Sequence, residues 1–517
     1  MISPSAHNRR FSSSIAALIF FAAIAFFDSP CRAVNYEKSG VVPPAIPREF
    51  RGVWIATVAN IDWPSKPGLS VADQKQELLA ILDRAARIKL NAVIFQVRPA
   101  CDAMYASPIE PWSEYLTGVM GRPPRPFYDP LAFAVEEAHR RGLELHAWFN
   151  PYRALHFSSK SPLAANHIAR THPELVKSYG KYLWLDPGEP AVRDYSLSVV
   201  MDVLRRYDID GVHFDDYFYP DRVDAGVDSD FPDDASWSKF GAGGKFSRED
   251  WRRENVNLFI ERVYQSVKAA KPWVKFGVSP HGIWRPRHPA QIRGMDAYAQ
   301  IYADSRKWLD NGWLDYFAPQ LYWPIKSKEQ SFPALLDWWT EQNSEHRHLW
   351  PGLDVAKASQ WLPDEIPNQI RLTRHQIGDS GYLLYNTTSL LHNNSLLAKL
   401  EQVINAQPAL VPASPWLGNS RPDQPALLSR NGILLPPKIS WMTASTVPVR
   451  FWAWQTRTGA EWRTEILPAN VSFRVIQGVP PDVVAVTAVD RNGNSSAPAV
   501  LQINREPPGA KRRRTVH

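Results

Sequence analysis

Cysteine is almost missing from this chain: Cys31 and Cys101 are the whole supply among 517 residues. Two thiols cannot staple a small disulfide scaffold, and removal of the first 33 residues would leave Cys101 alone. Long apolar runs are missing too. The longest, residues 15–27, has 13 residues, against about 20 for a membrane-spanning helix, and is too short to span a bilayer comfortably. An excess of positive charge is present only on paper. Of the formal +7, four charges sit in the tail at 511–514 and a net two in the first 33 residues, which leaves the body near +1. No basic domain remains to read a phosphate backbone, so nucleic acid is not an expected partner. There is no histidine cluster with metal-ligand spacing, no G-x-S-x-G elbow, no P-loop and no glycine-rich turn behind the first strand. Zinc hydrolases, serine hydrolases of that type and nucleotide binders drop out, and no cofactor or metal is expected. The acidic loop carrying Asp221, Asp224, Asp228, Asp230, Asp233 and Asp234 misses the calcium-loop spacing and reads as solvated surface.

Aromatic side chains are plentiful: 21 Trp, 18 Tyr and 22 Phe. Their flat apolar faces with a polar edge suit stacking on sugar rings. At the N-terminus Arg9 and Arg10 precede the apolar run, and Asp28-Ser-Pro-Cys-Arg-Ala33 follows it. That order predicts a secretory signal peptide over 1–33 and a periplasmic or secreted product. An outer-membrane lipoprotein attached at Cys31 is the minor alternative, because Asp28, Ser29 and Pro30 lack the apolar and small residues such a site shows.

From residue 49 short apolar runs alternate with longer helical patterns. Strands are expected at 49–58, 91–98, 143–150, 210–218, 275–283, 315–323, 349–356 and 381–388. Amphipathic stretches lie between them at 71–89, 131–141, 191–207, 248–271, 297–311 and 364–378. Eight such units predict an α/β fold, one (β/α)8 TIM barrel over 34–406. Seven prolines then mark 407–437 as a linker with an entry strand. Alternating segments at 438–441, 449–454, 471–475, 483–489 and 499–503 predict a small C-terminal all-β sandwich over 438–505, similar to a fibronectin type III module, before a basic tail at 506–517.

Barrel chemistry gathers at the C-terminal strand ends. Those ends carry Asn60 and Asp62, Gln96 and Arg98, then Asn150, Tyr152 and Arg153. The later strands add His213, Asp215 and Asp216, then His281, then Gln320, Tyr322 and Trp323, then Asp354, then Asn386. In Asp210-Gly-Val-His-Phe-Asp-Asp-Tyr-Phe-Tyr-Pro220, period-two alternation turns His213 and Asp215 to one side. A carboxylate at the mouth can act as a nucleophile or stabilise an oxocarbenium-like centre. An adjacent acid, Asp216, makes it plausible that one of the pair is raised in pKa.

Six ordered motifs carry a family resemblance: EFRGVWIATVANIDWP at 49–64, AVIFQVRP at 92–99, AWFNPYR at 147–153, WLDPG at 184–188, GVHFDDYFYP at 211–220 and PQLYW at 319–323. Over roughly 47–400 the chain resembles the glycosyl-hydrolase-like 10 family of bacterial envelope proteins. The resemblance implies a barrel, secretion and hydrolysis of glycan strands, and its better understood members look like peptidoglycan hydrolases that act on peptide-stripped glycan near the division site. Envelope or divisome proteins become expected partners. The strand-4 run is also similar to the α-amylase superfamily, which places His213 in the basic position and Asp215 as nucleophile. Strand 5 departs from that pattern: HGIW at 281–284 supplies no Glu. The proton donor is then sought among Asp354, ranked first, Asp216 and Glu110. Trp54 and Tyr217 join the strand-end residues as substrate-binding positions. A substrate-assisted route through an N-acetyl group, a hydrolase of another polysaccharide such as an α-glucan or exopolysaccharide, and a non-catalytic glycan-binding protein all stay open at this point.

Overall fold

The computed structural model describes residues 35–378, 381–430 and 436–504; the expected signal peptide and basic tail lie outside them. The expected strands pair in parallel as β1 (Phe50–Ile55), β2 (Ala92–Arg98), β3 (Glu144–Phe149), β4 (Gly211–Phe214), β5 (Lys275–Val278), β6 (Tyr316–Phe317), β7 (His348–Leu349 and Gly352–Asp354) and β8 (Gly381–Tyr385). The two pieces of β7 close the ring. His348–Leu349 pairs with β6, while Gly352–Asp354 pairs with β8, which in turn pairs with β1. Pro351 interrupts the pairing pattern between them because it offers no N–H. The strands are almost wholly buried on both faces, as parallel strands wrapped by helices must be.

Helices flank the ring with ordinary start signals. Val71–Arg87 is capped by the Ser70 hydroxyl and buries Leu78, Ile81, Leu82 and Ala85 on one stripe. The helix expected over 297–311 is divided into Ala297–Gln300 and Ser305–Asp310, because Tyr302 turns the chain at φ 55°. A helix not singled out in the sequence, Phe332–Glu341, lies between β6 and β7.

Inside the ring, alternate residues stack in layers. Gly211 and Gly277 leave the room that the His146 and Tyr316 rings occupy; a Cβ at either position would collide with them. The rings form a chain of hydrogen bonds along the barrel interior. Trp54 Nε1–H donates to His213 Nε2 (3.1 Å), so the proton of neutral His213 sits on Nδ1 and goes to Tyr316 Oη (2.9 Å). The Tyr316 hydroxyl then donates to His146 Nδ1 (2.9 Å), and His146 Nε2–H to Glu144 (3.1 Å), which Lys275 neutralises. Burial holds His213 well below the usual histidine range, in keeping with a neutral ring.

The C-terminal part holds a five-stranded sheet and a three-stranded sheet around Trp441, Trp452, Trp454, Val484 and Val486. Its boundaries differ from those read in the sequence. Tyr36–Lys38, assigned there to the barrel region, pairs antiparallel with Ala499–Ile503. Ala426–Arg430 takes the place of the entry strand expected within 407–437 and joins the smaller sheet, and Glu461–Pro468 adds a strand not read in the sequence. The proline-rich segment is not a free spacer. Leu410 bridges to Arg48, Trp416 Nε1–H donates to Asp315, and His348 bonds to Ser414. Arg450 and Arg491 of the β domain reach Asp210 and Asp208, just before β4. The β domain therefore sits at the end of the barrel opposite the C-terminal mouth. Among the described residues no helix is long and apolar enough to cross a membrane.

Candidate active site

The C-terminal ends of the strands surround a cleft of about 300 Å³. Inward positions build it layer by layer: Trp54 and Ala56 from β1 and its exit, Gln96 from β2, Trp148 from β3, Asp215 beyond β4, Ser279 beyond β5, Gln320 and Tyr322 beyond β6, and Tyr385 from β8. Asp216, Tyr217, Arg153, His156, Val58 and Ile61 complete the wall.

Asp215 is a buried member of this constellation. Trp148 Nε1–H donates to its Oδ2 (3.0 Å), and the Asn150 amide approaches both oxygens at 3.4–3.5 Å. Asn150 is itself fixed, since its Oδ1 accepts from Arg153 N (3.0 Å). Burial pushes the Asp215 carboxyl up to about 7; the nearby Arg153 guanidinium opposes this and Asp216 adds to it. Asp216 is also raised by burial, with His281 and the Gln320 amide pulling the other way. Once β4 ends at Phe214 the alternation is released, which lets the neighbouring acid line the same cleft. Arg153 stacks its guanidinium on the Tyr217 ring at 4.7 Å, and Tyr322 stacks on Tyr385 at 5.7 Å.

Of the residues read from the sequence, Trp54, Gln96, Arg153, Asp215, Asp216, Tyr217, Gln320 and Tyr322 meet in the cleft, with His213 and Asn150 directly supporting it. His281 stands behind Asp216, edge-on to Trp323. The others have different work. Asp62 accepts from Ala56 N and Thr388 N, tying the loop after β1 to the one after β8. Arg98 is buried with Glu110, which removes both from the mouth. Tyr152 is a core ring against Phe259. Asn386 caps the helix Thr387–Leu391.

Asp354, ranked first as proton donor, does not line the cleft. Its carboxylate caps the turn at Val355–Gln360 by accepting from Lys357 N (3.3 Å) and pairs with Lys357 Nζ (3.1 Å). Asp354→Asn keeps a good cap, so turnover is expected to change by less than about threefold. A steady-state rate reduced by ~10²–10⁴, the worth of a general acid, would return Asp354 to that role.

The sequence reading missed Trp148, Ser279, Tyr385 and His156 as wall residues. Alternation from His146 to Asn150 already pointed Trp148 inward. His156 comes from an excursion after β3 in which Arg153–Leu155 pairs with Tyr182–Leu185, and no periodic signal reaches it. Among the described residues, no group of three or more His, Cys, Asp or Glu side chains could hold a metal ion.

The chain is similar to a family of known proteins. The family model for glycosyl hydrolase-like 10 proteins matches residues 49–364. Glycosyl hydrolase YngK of Bacillus subtilis (strain 168) is 42% identical over 435 residues, covering 81% of this chain and 84% of that protein. Glycosyl hydrolase DigH of Escherichia coli (strain K12) is 38% identical over 370 residues, covering 66% of this chain and 82% of that protein. Among solved structures, the glycoside hydrolase domain of PgaB (BpsB) from Bordetella bronchiseptica covers 68% of this chain and 98% of its own at 12% identity and a TM-score of 0.44. A likeness that loose adds nothing to the topology described above.

Proposed function

The chain belongs to the glycosyl hydrolase-like 10 family, and on that premise we propose that it is a glycoside hydrolase that cuts the glycan strands of bacterial peptidoglycan, preferring strands stripped of peptide. Residues 1–33 export it to the periplasm or beyond, where envelope and division-site proteins are its neighbours. The C-terminal sheets, read as fibronectin type III-like, serve as a spacing or docking module. Their place at the closed end of the barrel keeps them away from the chemistry.

The observation that carries the reading is the carboxyl pair Asp215 and Asp216 in one aromatic-walled cleft. Trp148 and Asn150 donate to Asp215, which favours its ionised form and suits a nucleophile or a stabiliser of positive charge at the anomeric carbon. Asp216 is the second carboxyl in the cleft and takes the role of general acid, protonating the leaving oxygen and later activating water. Tyr217, Tyr322 and Tyr385 offer faces for sugar rings.

The test is release of soluble fragments from purified glycan strands, with and without stem peptides. Fragments from peptide-free strands support the reading. Cleavage of α-glucan or an exopolysaccharide instead would reassign the polymer, and strands bound but uncut would leave a glycan-binding protein. The pH dependence follows from the raised pair. A carboxyl with a raised pKa keeps its proton up to that value, and the protonated form is the acid. The rate should therefore fall on the alkaline side as Asp216, raised by burial, loses its proton, and rise on the acid side as Asp215, pushed up to about 7 by burial, ionises to the nucleophile. Measured as kcat/KM between pH 4.5 and 9 in roughly half-unit steps, the profile is expected to show both limbs, and a rate flat across that range would contradict this assignment.

A further inference from the structure

Two buried polar atoms in the cleft wall have no partner: Gln96 Nε2 and Ser279 Oγ. The first is the more telling, because its orientation is fixed. Thr57 N–H and Val58 N–H both donate to one oxygen of the Gln96 amide, at 2.9 and 2.8 Å. An atom receiving two backbone donors must be the oxygen, so the other amide position is NH2. The Thr57 hydroxyl also donates to the Gln96 carbonyl (3.0 Å) and holds the residue from behind. The side chain is fully buried. Its NH2 group can only donate, and no protein acceptor answers it. Native proteins rarely leave such a group unpaired unless a ligand or water completes it.

The surroundings narrow the ligand. Ala56, Val58 and Ile61 line the same side of the cleft, and Ile61 is an exposed aliphatic residue at the rim. A bare ring hydroxyl would satisfy the donor and waste the apolar corner. A carbonyl bearing a methyl group satisfies both. We propose that Gln96 reads the acetamido carbonyl of a 2-acetamido sugar, with the acetyl methyl seated against Ala56, Val58 and Ile61. This rests on the glycosidase reading and narrows its substrate to N-acetylated strands. Gln96 is then a specificity-determining residue.

The experiment compares peptide-free strands that are N-acetylated with the same strands after N-deacetylation, cut by wild type, Gln96→Glu and Ile61→Ser. A site built to hydrogen-bond a substrate group rejects an analogue lacking it by large factors, so wild type is expected to prefer acetylated strands by about 10²-fold or more. Gln96→Glu keeps an oxygen for Thr57 and Val58 but replaces the donor by an acceptor. The preference should collapse to within about tenfold of unity, through loss on the acetylated substrate. Ile61→Ser, at the rim, leaves the core untouched and should raise KM for acetylated strands about threefold to tenfold, the worth of a small apolar contact. A folding defect would lower both substrates together and leave the ratio intact. A ratio unchanged in both variants, or wild-type protein that cuts both strands alike, overturns the inference. Wild-type protein that cuts neither overturns the peptidoglycan reading on which the inference rests.

Discussion

Asp215→Asn is expected to lower kcat on peptide-free glycan strands by about 10³-fold or more while strand binding persists. The amide is nearly the same shape as the carboxyl, and its oxygen can still accept from Trp148 Nε1–H. What it cannot do is carry negative charge towards an anomeric carbon or attack it. The loss should therefore fall on kcat, because the aromatic faces proposed to hold sugar rings, Tyr217, Tyr322 and Tyr385, are untouched. Strand pull-down measured beside single-turnover fragment release separates the effects. Binding lost together with turnover would mean that Asp215 only shapes the cleft, and turnover retained would remove it from the chemistry.

The barrel was legible because its physics is repetitive. Parallel strands buried on both faces read as apolar runs, and the helices between them show their stripe at three- and four-residue steps. Strand ends fall where the runs stop, so the rule that chemistry lies there led to Asp215, Asp216, Gln320 and Tyr322 without any three-dimensional information. The same alternation, carried along every strand, would have added Trp148 and Ser279. Illegible were the pairings made through space. Nothing along the chain says that Glu110 turns back onto Arg98 or that Tyr36–Lys38 crosses to the last strand of the β domain. A carboxylate near a strand end looks the same in sequence whether it faces substrate or a guanidinium. Its partner decides, and the partner is set by the fold.

Glu110 gives that distinction its sharpest test. Its oxygens take the Arg98 guanidinium at 2.6–3.0 Å, with both side chains at most 1% exposed. Arg98 also donates to the carbonyls of Asn150 (2.8 Å) and Pro151 (2.9 Å), and so braces the segment whose amide touches Asp215. Despite the burial that opposes it, the guanidinium is held well above its ordinary pKa by neighbours that include Glu110, so it stays charged across the working range. Glu110→Gln would leave that charge in the interior without its counter-ion, at a cost of about 3–5 kcal/mol. The expected result is a large fall in the denaturant midpoint, with cleavage by the surviving folded fraction reduced far less than in Asp215→Asn. The two variants should thus separate cleanly, one stable and inactive, the other active and fragile. Asp215→Asn removes a buried carboxyl whose ionisation burial resists, and should cost little stability or none. A Glu110→Gln protein as stable as wild type but silent on glycan strands would make Glu110 the proton donor after all, reached through a rearrangement of the β3 exit.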